Sequence, residues 1–97
     1  MSESGENTVF IGQKPVTAYV MACITQFNQG GDKDIVLKAR GKAISRCVDV
    51  AEVLRRRFLK DKVEISDIKI STEVLKGRDD RESNVSAIEI TISRIEE

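Results

Sequence analysis

Four cationic side chains stand within nine residues of this chain, with no acidic residue among them. They are Lys38, Arg40, Lys42 and Arg46. An apolar run precedes them and Gly41 lies between them, a pattern that predicts a strand, a turn and then a helix. Backbone amides at the start of a helix favour an anion. The cluster is therefore suited to phosphates of a repeating polyanion, although such a run also occurs as an ordinary solvated surface.

The cluster contains a Gly-Lys pair but is not a nucleotide-binding phosphate loop. That loop requires a glycine five residues before the pair and a serine or threonine after it, and this chain has Val36 and Ala43 at those positions. A nucleoside triphosphate would have neither its cradle nor its magnesium hydroxyl here. An exposed cationic loop that touches several phosphates remains.

The sequence predicts no enzyme, no catalytic residue, no metal site and no cofactor. It has no histidine, so general-base chemistry would fall to Asp or Glu. Asp49 and Glu52 are neighbours on a predicted helix, but the surrounding arginines mark them as ion-pair partners. Cys23 and Cys47 fall at apolar helical positions, where core thiols are expected rather than a disulfide or a metal pair.

Composition predicts one small domain with balanced charge. The chain has 97 residues, 40% of them hydrophobic, and equal numbers of basic and acidic residues, 16 each. Zero net charge argues against a bulk nucleic-acid coat, and only four aromatic residues are available to stack on bases. Residues 1–7 are expected to be flexible and 8–97 to form the domain. With no apolar span or signal peptide, a cytoplasmic protein is expected.

Hydrophobic periodicity predicts the element order β-α-β-α-β-β. A strand at 8–12 leads to a helix that opens at Pro15 and ends at Gly30 and Gly31. The strand at 34–39 is almost wholly apolar at its centre, which predicts that both of its faces are covered. The second helix is predicted to run from about Lys42 to Phe58. Its predicted inner face consists of Ile44, Cys47, Val48, Ala51, Leu54 and Phe58, with Phe58 equally compatible with an interface.

Two further strands follow, with breaks in period at 66–67 and 87–88 that predict bulges, and with a polar tip at 75–83 between them. That tip is either a solvated loop or an arm that orders on a ligand. The fold class is α+β: a two-layer sandwich in which two helices cover one face of a four-stranded mixed sheet.

With these elements in place, the chain resembles the Alba family, small archaeal chromatin proteins that bind DNA and RNA as dimers. The similarity runs from about Val9 to Arg94, and Lys-Ala-Arg-Gly-Lys-Ala-Ile-Ser at 38–45 is its most specific segment. Other matching stretches are 9–16, 48–52, 57–59 and 85–90. The resemblance implies a fold like that of the C-terminal domain of translation initiation factor three, and a cytoplasmic, chromosome-associated homodimer.

In the family, the dimer forms through the second helix and the strands after it, so that two basic loops face a duplex backbone and two hairpin arms reach along the minor groove. The resemblance implies nucleic-acid contacts in both parts, at Lys14, Lys38, Arg40, Gly41, Lys42 and Arg46 in the body and at Arg78, Arg81 and Asn84 in the arm. It also implies a contact between dimers packed side by side on DNA, at Asp49, Arg57 and Phe58.

Several positions depart from the family pattern. Gln13 stands where many members carry the lysine whose acetylation weakens DNA binding, so that switch, with its acetyltransferase and deacetylase, is expected to be absent, while modification of Lys14 stays open. Asn84 stands where an arginine is frequent, and acids at 79, 80 and 82 interrupt the arm. We expect a binder of modest affinity, weaker and more salt-sensitive than the strongly basic members of the family. Two alternatives are an RNA-binding protein of RNA folding or turnover, and a protein-interaction module whose nucleic-acid site has weakened.

Overall fold

Two helices and four strands make up residues 7–30 and 33–95, the part of the chain that the computed structural model describes. The order is β1 (Thr8–Phe10), α1 (Val16–Gly30), β2 (Asp34–Arg40), α2 (Ile44–Val53), β3 (Val63–Lys76) and β4 (Glu82–Arg94). A 3₁₀ turn, Gly41–Ala43, precedes α2 and a π turn, Leu54–Phe58, follows it. No helix in this part is both long and apolar enough to cross a bilayer.

The sheet is mixed and has the strand order β1-β2-β4-β3. β1 runs parallel to β2, whereas β4 is antiparallel to both β2 and β3. Both helices cover one face, where α1 contributes Val20, Cys23 and Phe27 to the core. The predicted α+β sandwich is confirmed. Of the predicted flexible segment 1–7, only Asn7 is described, and its carbonyl accepts the Val36 N–H at 2.8 Å.

Strand β2 is covered on one face, so the prediction of two covered faces is wrong. Ile35, Leu37 and Ala39 are buried under the helices, while Val36 and Lys38 between them are only half-buried. Within residues 7–30 and 33–95, no helix lies against the opposite face of the sheet. The apolar centre of β2 therefore does not indicate two covered faces, since Val36 keeps part of its surface in water.

Helix α2 buries a narrower stripe than predicted. Cys47, Val50, Ala51 and Leu54 are buried, the spacing of a single helical face. Val48 is exposed because it lies about 100° around the helix from Cys47, and Val50 takes the inward position instead. The π turn is wider than an α-helical turn, so Phe58 at its end lies beyond the core. The ring of Phe58 is 56% exposed. Gly31, the predicted end of α1, lies outside the described residues.

One of the two predicted bulges is present. The β3–β4 register shifts between Ile65 and Asp67, whereas pairing through Ala87 and Ile88 is regular. Ala87 and Ile88 are adjacent buried residues because they face opposite sides of a regular strand, and the small Ala87 is buried on the open face of the sheet. The predicted long tip is also shorter, since strand pairing continues to Lys76 and resumes at Glu82, leaving the turn 77–81. Gly77 N–H donates to the Arg81 carbonyl at 2.8 Å across that turn.

The two cysteines are free and fully buried, which confirms them as core residues. Burial, together with the neighbouring Cys47 sulfur, raises the pKa of Cys23 to about 12, and burial raises the pKa of Cys47 to about 11. The folded state therefore holds both protons at pH values where the unfolded thiols ionise, and stability falls as pH rises.

We expect the free energy of unfolding to decline from about pH 9, the ordinary thiol value, up to the folded pKa values of about 11 and about 12. Urea titrations across this range measure the decline. A Cys23→Ala/Cys47→Ala protein, compared with its own value at pH 7, should show a shallower decline. An equal slope in both proteins would contradict the assignment to the thiols.

Candidate nucleic-acid interface

Two loops leave the sheet side by side at the end where β1 and β2 finish. We call this end of the sheet the loop edge. Because β1 and β2 are parallel and Phe10 pairs with Lys38, both strands end at this edge. The loop 11–15 follows β1 and carries Gln13 and Lys14, both exposed. The 3₁₀ turn follows β2 and carries Lys42. The structure thus brings Lys14 and Lys42 to the same edge, as the sequence predicted for Lys42 from its strand-to-helix turn.

Gly41 makes the sharp turn from β2 into α2. Its φ of +59° is left-handed, a conformation that side-chain-bearing residues adopt at a cost of roughly 1–2 kcal/mol. The helix start is open as well, since neither Arg40 nor Ala43, the residues at the caps, makes a side-chain capping hydrogen bond. Amides at this turn therefore point toward the edge where the lysines lie, an arrangement that favours an anion.

Tyr19 and Arg46 hold the loop 11–15 in place. The Tyr19 hydroxyl oxygen accepts the N–H of Gly12 at 2.8 Å and the N–H of Lys14 at 3.0 Å. The Arg46 guanidinium donates to the Gly12 carbonyl at 2.6 Å and so joins the first turn of α2 to this loop. Arg46, predicted as a phosphate contact, is half-buried and is used here to position the loop that carries Lys14.

Tyr19→Phe should destabilise the protein by about 1–3 kcal/mol, because two partly buried amide donors lose their acceptor while the ring and its packing remain. Urea unfolding with an unchanged m value measures the loss. A change below about 0.5 kcal/mol, the range of ordinary surface substitutions, would mean that water replaces the hydroxyl and would contradict this role.

Four of the cationic contacts predicted for the body fall into two groups, one with ion pairs and one without. Arg40 bonds Glu73 at 2.9 Å and Lys38 lies 3.7 Å from Glu89, both across the open face of the sheet. Lys14 and Lys42, in contrast, form no ion pair within 7–30 and 33–95. The acids of β3 and β4 could not be assigned to these partners from sequence because the contacts depend on strand register.

The β3–β4 hairpin projects beyond the same edge. Arg40, the last residue of β2, pairs with Ala87, which pairs with Ser71 on β3. Five more residues of β3 continue to Lys76, a length of about 17 Å at the usual strand rise. The predicted arm contacts Arg78, Arg81 and Asn84 are exposed on this projection. Arg81 is paired with Asp79 at 3.2 Å.

The outer surface of α2 and of the π turn after it carries the residues predicted to join dimers. Asp49, Arg57 and Phe58 are all exposed, spread along about 13 Å of helix.

Glu52 is paired with Arg55 and Arg56 as predicted, and the hydrogen bond from Arg55 lowers the pKa of this carboxyl. Asp49 has no ion pair in the described part of the chain, so its predicted pairing is wrong. Arg55 and Arg56 lie six and seven residues further on, about 9–10 Å along the helix axis, and the nearer Arg46 donates to the Gly12 carbonyl instead.

An apolar surface on β3 was missed by the sequence analysis. Ile68, Ile70 and Val74 share the helix-facing side of the sheet, but the helices do not reach this edge strand and Ile70 is 80% exposed. Between β3 and the start of α2 lies a groove of about 390 Å³ whose walls include Ile44 and Ile88. Strand alternation was visible in the sequence, whereas the strand order that leaves β3 uncovered was not.

No group of three His, Cys, Asp or Glu residues able to hold a metal ion occurs among the described residues. The fold and this edge define a class of protein: a small α+β sandwich that gathers cationic loops and a hairpin at one end.

The chain belongs to the Alba family, whose family model matches residues 7–72. It is 55% identical over 89 residues to "DNA/RNA-binding protein Alba" of Methanocella arvoryzae, covering 92% of this chain and 91% of that protein. It is also 55% identical to "DNA/RNA-binding protein Alba 1" of Archaeoglobus fulgidus, covering 92% and 97%. These names denote binding proteins and include no enzymatic activity.

Solved structures agree with this assignment. Alba from Thermoplasma volcanium superimposes with a TM-score of 0.82 at 49% identity, covering 91% of this chain and all of that one. ALBA1 from Trypanosoma brucei, at 24% identity and a TM-score of 0.76, covers 94% of this chain and 71% of that chain and shares the fold.

Proposed function

We propose that this protein binds the phosphate backbone of double-stranded DNA, and of RNA, as a homodimer without catalysing a reaction. Its place is the cytoplasm, on the chromosome, where it contributes to chromatin organisation. The relatives' names support the ligand class. The observation that carries the proposal is the Arg46–Gly12 hydrogen bond, which joins the loop of Lys14 to the first turn of α2 next to Lys42. Neither lysine forms an ion pair within residues 7–30 and 33–95. Two point cations beside uncapped helix amides suit phosphate oxygens.

The second copy is proposed to cover the apolar surface of β3. Ile68, Ile70 and Val74 are too large and too clustered for an ordinary solvated strand, and the groove beside them is open. A twofold interface would place the same surface on both copies and would bring two loop edges together. Each dimer would then offer two copies each of Lys14 and Lys42, and two hairpin arms, to a duplex.

The proposed affinity is modest because the chain neutralises part of its own cationic surface. The two ion pairs at Arg40 and Lys38 and the pair at Arg81 occupy three of the predicted contacts. The arm, with three cations and three acids from Lys76 to Glu82, has no net charge. Gln13 contributes no charge either, so binding does not depend on removing an acetyl group there, and Lys14 is the exposed amine left for modification in this loop.

The test is a salt titration of binding to a duplex DNA and to a structured RNA of matched length. Four lysine contacts per dimer predict a slope of log K against log salt of about −3.6 on DNA. A slope near about −9 would mean that the three paired cations of each subunit, Lys38, Arg40 and Arg81, also join. Absence of binding to both ligands at about 0.05 M salt would overturn the proposal and favour a protein partner.

A further inference from the structure

We propose that the open face of the sheet binds an unpaired base of a single-stranded RNA segment, with Phe10 as the stacking surface. This inference rests on the proposed function, because the same strand's phosphates would be held by the loop edge next to it. It adds a second kind of contact, one that reads the exposed base and not the backbone.

Phe10 is the observation that leads to this site. It lies on the uncovered face of β1 and is 66% exposed, while its neighbours Val9 and Ile11 turn toward the core. Exposure of an apolar phenyl ring to water is unfavourable, and the helices cover only the other face of the sheet. An exposed aromatic ring on an open sheet offers a flat surface of the kind on which nucleobases stack.

A hollow of about 410 Å³ lies beside the ring, within the usual size range of small-ligand sites. Its walls are Phe10, Lys38, Arg40, Glu73 and Glu89, and Ala87 lies at its floor. Ala87 creates the space, because it is the residue of β4 that pairs with Arg40 and its methyl group leaves room above the sheet. A planar ring can enter between Phe10 and the two carboxylates.

The polar groups around the hollow match a base better than a phosphate. Glu73 and Glu89 are hydrogen-bond acceptors, which suit the amino groups of adenine or cytosine and repel a phosphate. Lys38 and Arg40 are already paired with them, so the site carries little net charge. Exposed pairs of this kind contribute only about 0–1 kcal/mol, so each carboxylate can accept a hydrogen bond from a base amino group beside its cation at little cost.

The occupant is a single strand because the bases of a duplex are stacked and hidden from a flat sheet face. Folded RNA supplies such segments in its loops and bulges. The site is also continuous with the proposed backbone surface, since Arg40 is followed directly by Gly41 and Lys42. A strand that crosses the loop edge would thus bring its next base to the open face.

The chain has no tryptophan, which allows a direct test. Phe10→Trp introduces a single indole whose fluorescence falls when a base stacks on it. The probes are a twelve-nucleotide oligoadenylate, an abasic ribose-phosphate strand of the same length and a duplex RNA. Binding is followed separately by anisotropy of labelled strands. We expect the oligoadenylate to quench the indole, and the abasic strand and the duplex to bind with little quenching.

Affinity provides the second readout. Phe10→Leu removes the aromatic face but keeps an apolar side chain, and should weaken oligoadenylate binding at least about fivefold while leaving duplex binding unchanged. Met21→Leu, a change at an exposed apolar position on α1, is the matched control and should alter neither. Oligoadenylate binding without quenching, or an equal effect of Phe10→Leu on strand and duplex, would overturn this inference and leave the backbone proposal standing. Failure of every nucleic acid to bind would overturn both.

Discussion

Lys42→Ala should weaken binding of the protein to duplex DNA about 60-fold at 0.1 M salt. The substitution removes one phosphate contact from each subunit and two from each dimer, so the salt slope should flatten by about 1.8 units. The side chain is exposed and has no ion pair in the described part of the chain, so folding should be unaffected within about 0.5 kcal/mol. Fluorescence anisotropy at several salt concentrations measures both quantities.

Lys60→Ala is the matched control for this experiment. Lys60 is also an exposed lysine, but it follows the π turn at the far end of α2, more than about 20 Å of helix from the loop edge. The two variants have the same net charge. If both weakened binding equally, overall charge would explain the affinity and the loop edge would not be the site.

Ile70→Asp should convert the proposed dimer into a monomer, with the mass in solution falling from twice 10.8 kDa to 10.8 kDa. In a single chain this side chain is 80% exposed, so the carboxylate costs little in folding. At a twofold interface the change would bury two unpaired carboxylates, a penalty of several kcal/mol for each. Sedimentation velocity measures the mass, and DNA binding should weaken with it because only half of the contacts remain.

Met21→Asp makes the same kind of change, from an exposed apolar residue to an acid, on the outer surface of α1. It should leave the mass unchanged. A dimeric Ile70→Asp protein would contradict the assignment of the β3 surface, whereas two monomeric variants would point to a general effect of added negative charge.

Local patterns in the sequence were sufficient to predict the helices and strands and their order along the chain. The three- and four-residue spacing of Val20, Cys23 and Phe27 defined α1, and the alternation of Ile88, Ile90 and Ile92 defined β4. The turn at Gly41 was also predictable, because glycine between a strand and a helix marks a change in backbone direction. These features depend on residues close together in the chain.

What the sequence could not provide depends on residues far apart. The strand order puts β4 between β2 and β3, and together with the strand register it brings Arg40 to Glu73 and leaves Ile70 uncovered. The role of Arg46 depends in the same way on a carbonyl 34 positions earlier in the chain. Its type predicts a phosphate contact, which stays a prediction, and its position in the fold adds a hydrogen bond that supports the loop 11–15.

The ion pairs of Arg40 and Lys38 have a consequence for behaviour in dilute buffer. Glu73 and Glu89 act as counterions that are tethered to the protein, and their local concentration does not fall when the surrounding salt is diluted. Mobile ions leave a cationic surface as buffer is diluted, but these two carboxylates stay. Dilution should therefore raise affinity for a polyanion only through the cations outside these two pairs, and the fold itself keeps the salt dependence shallow.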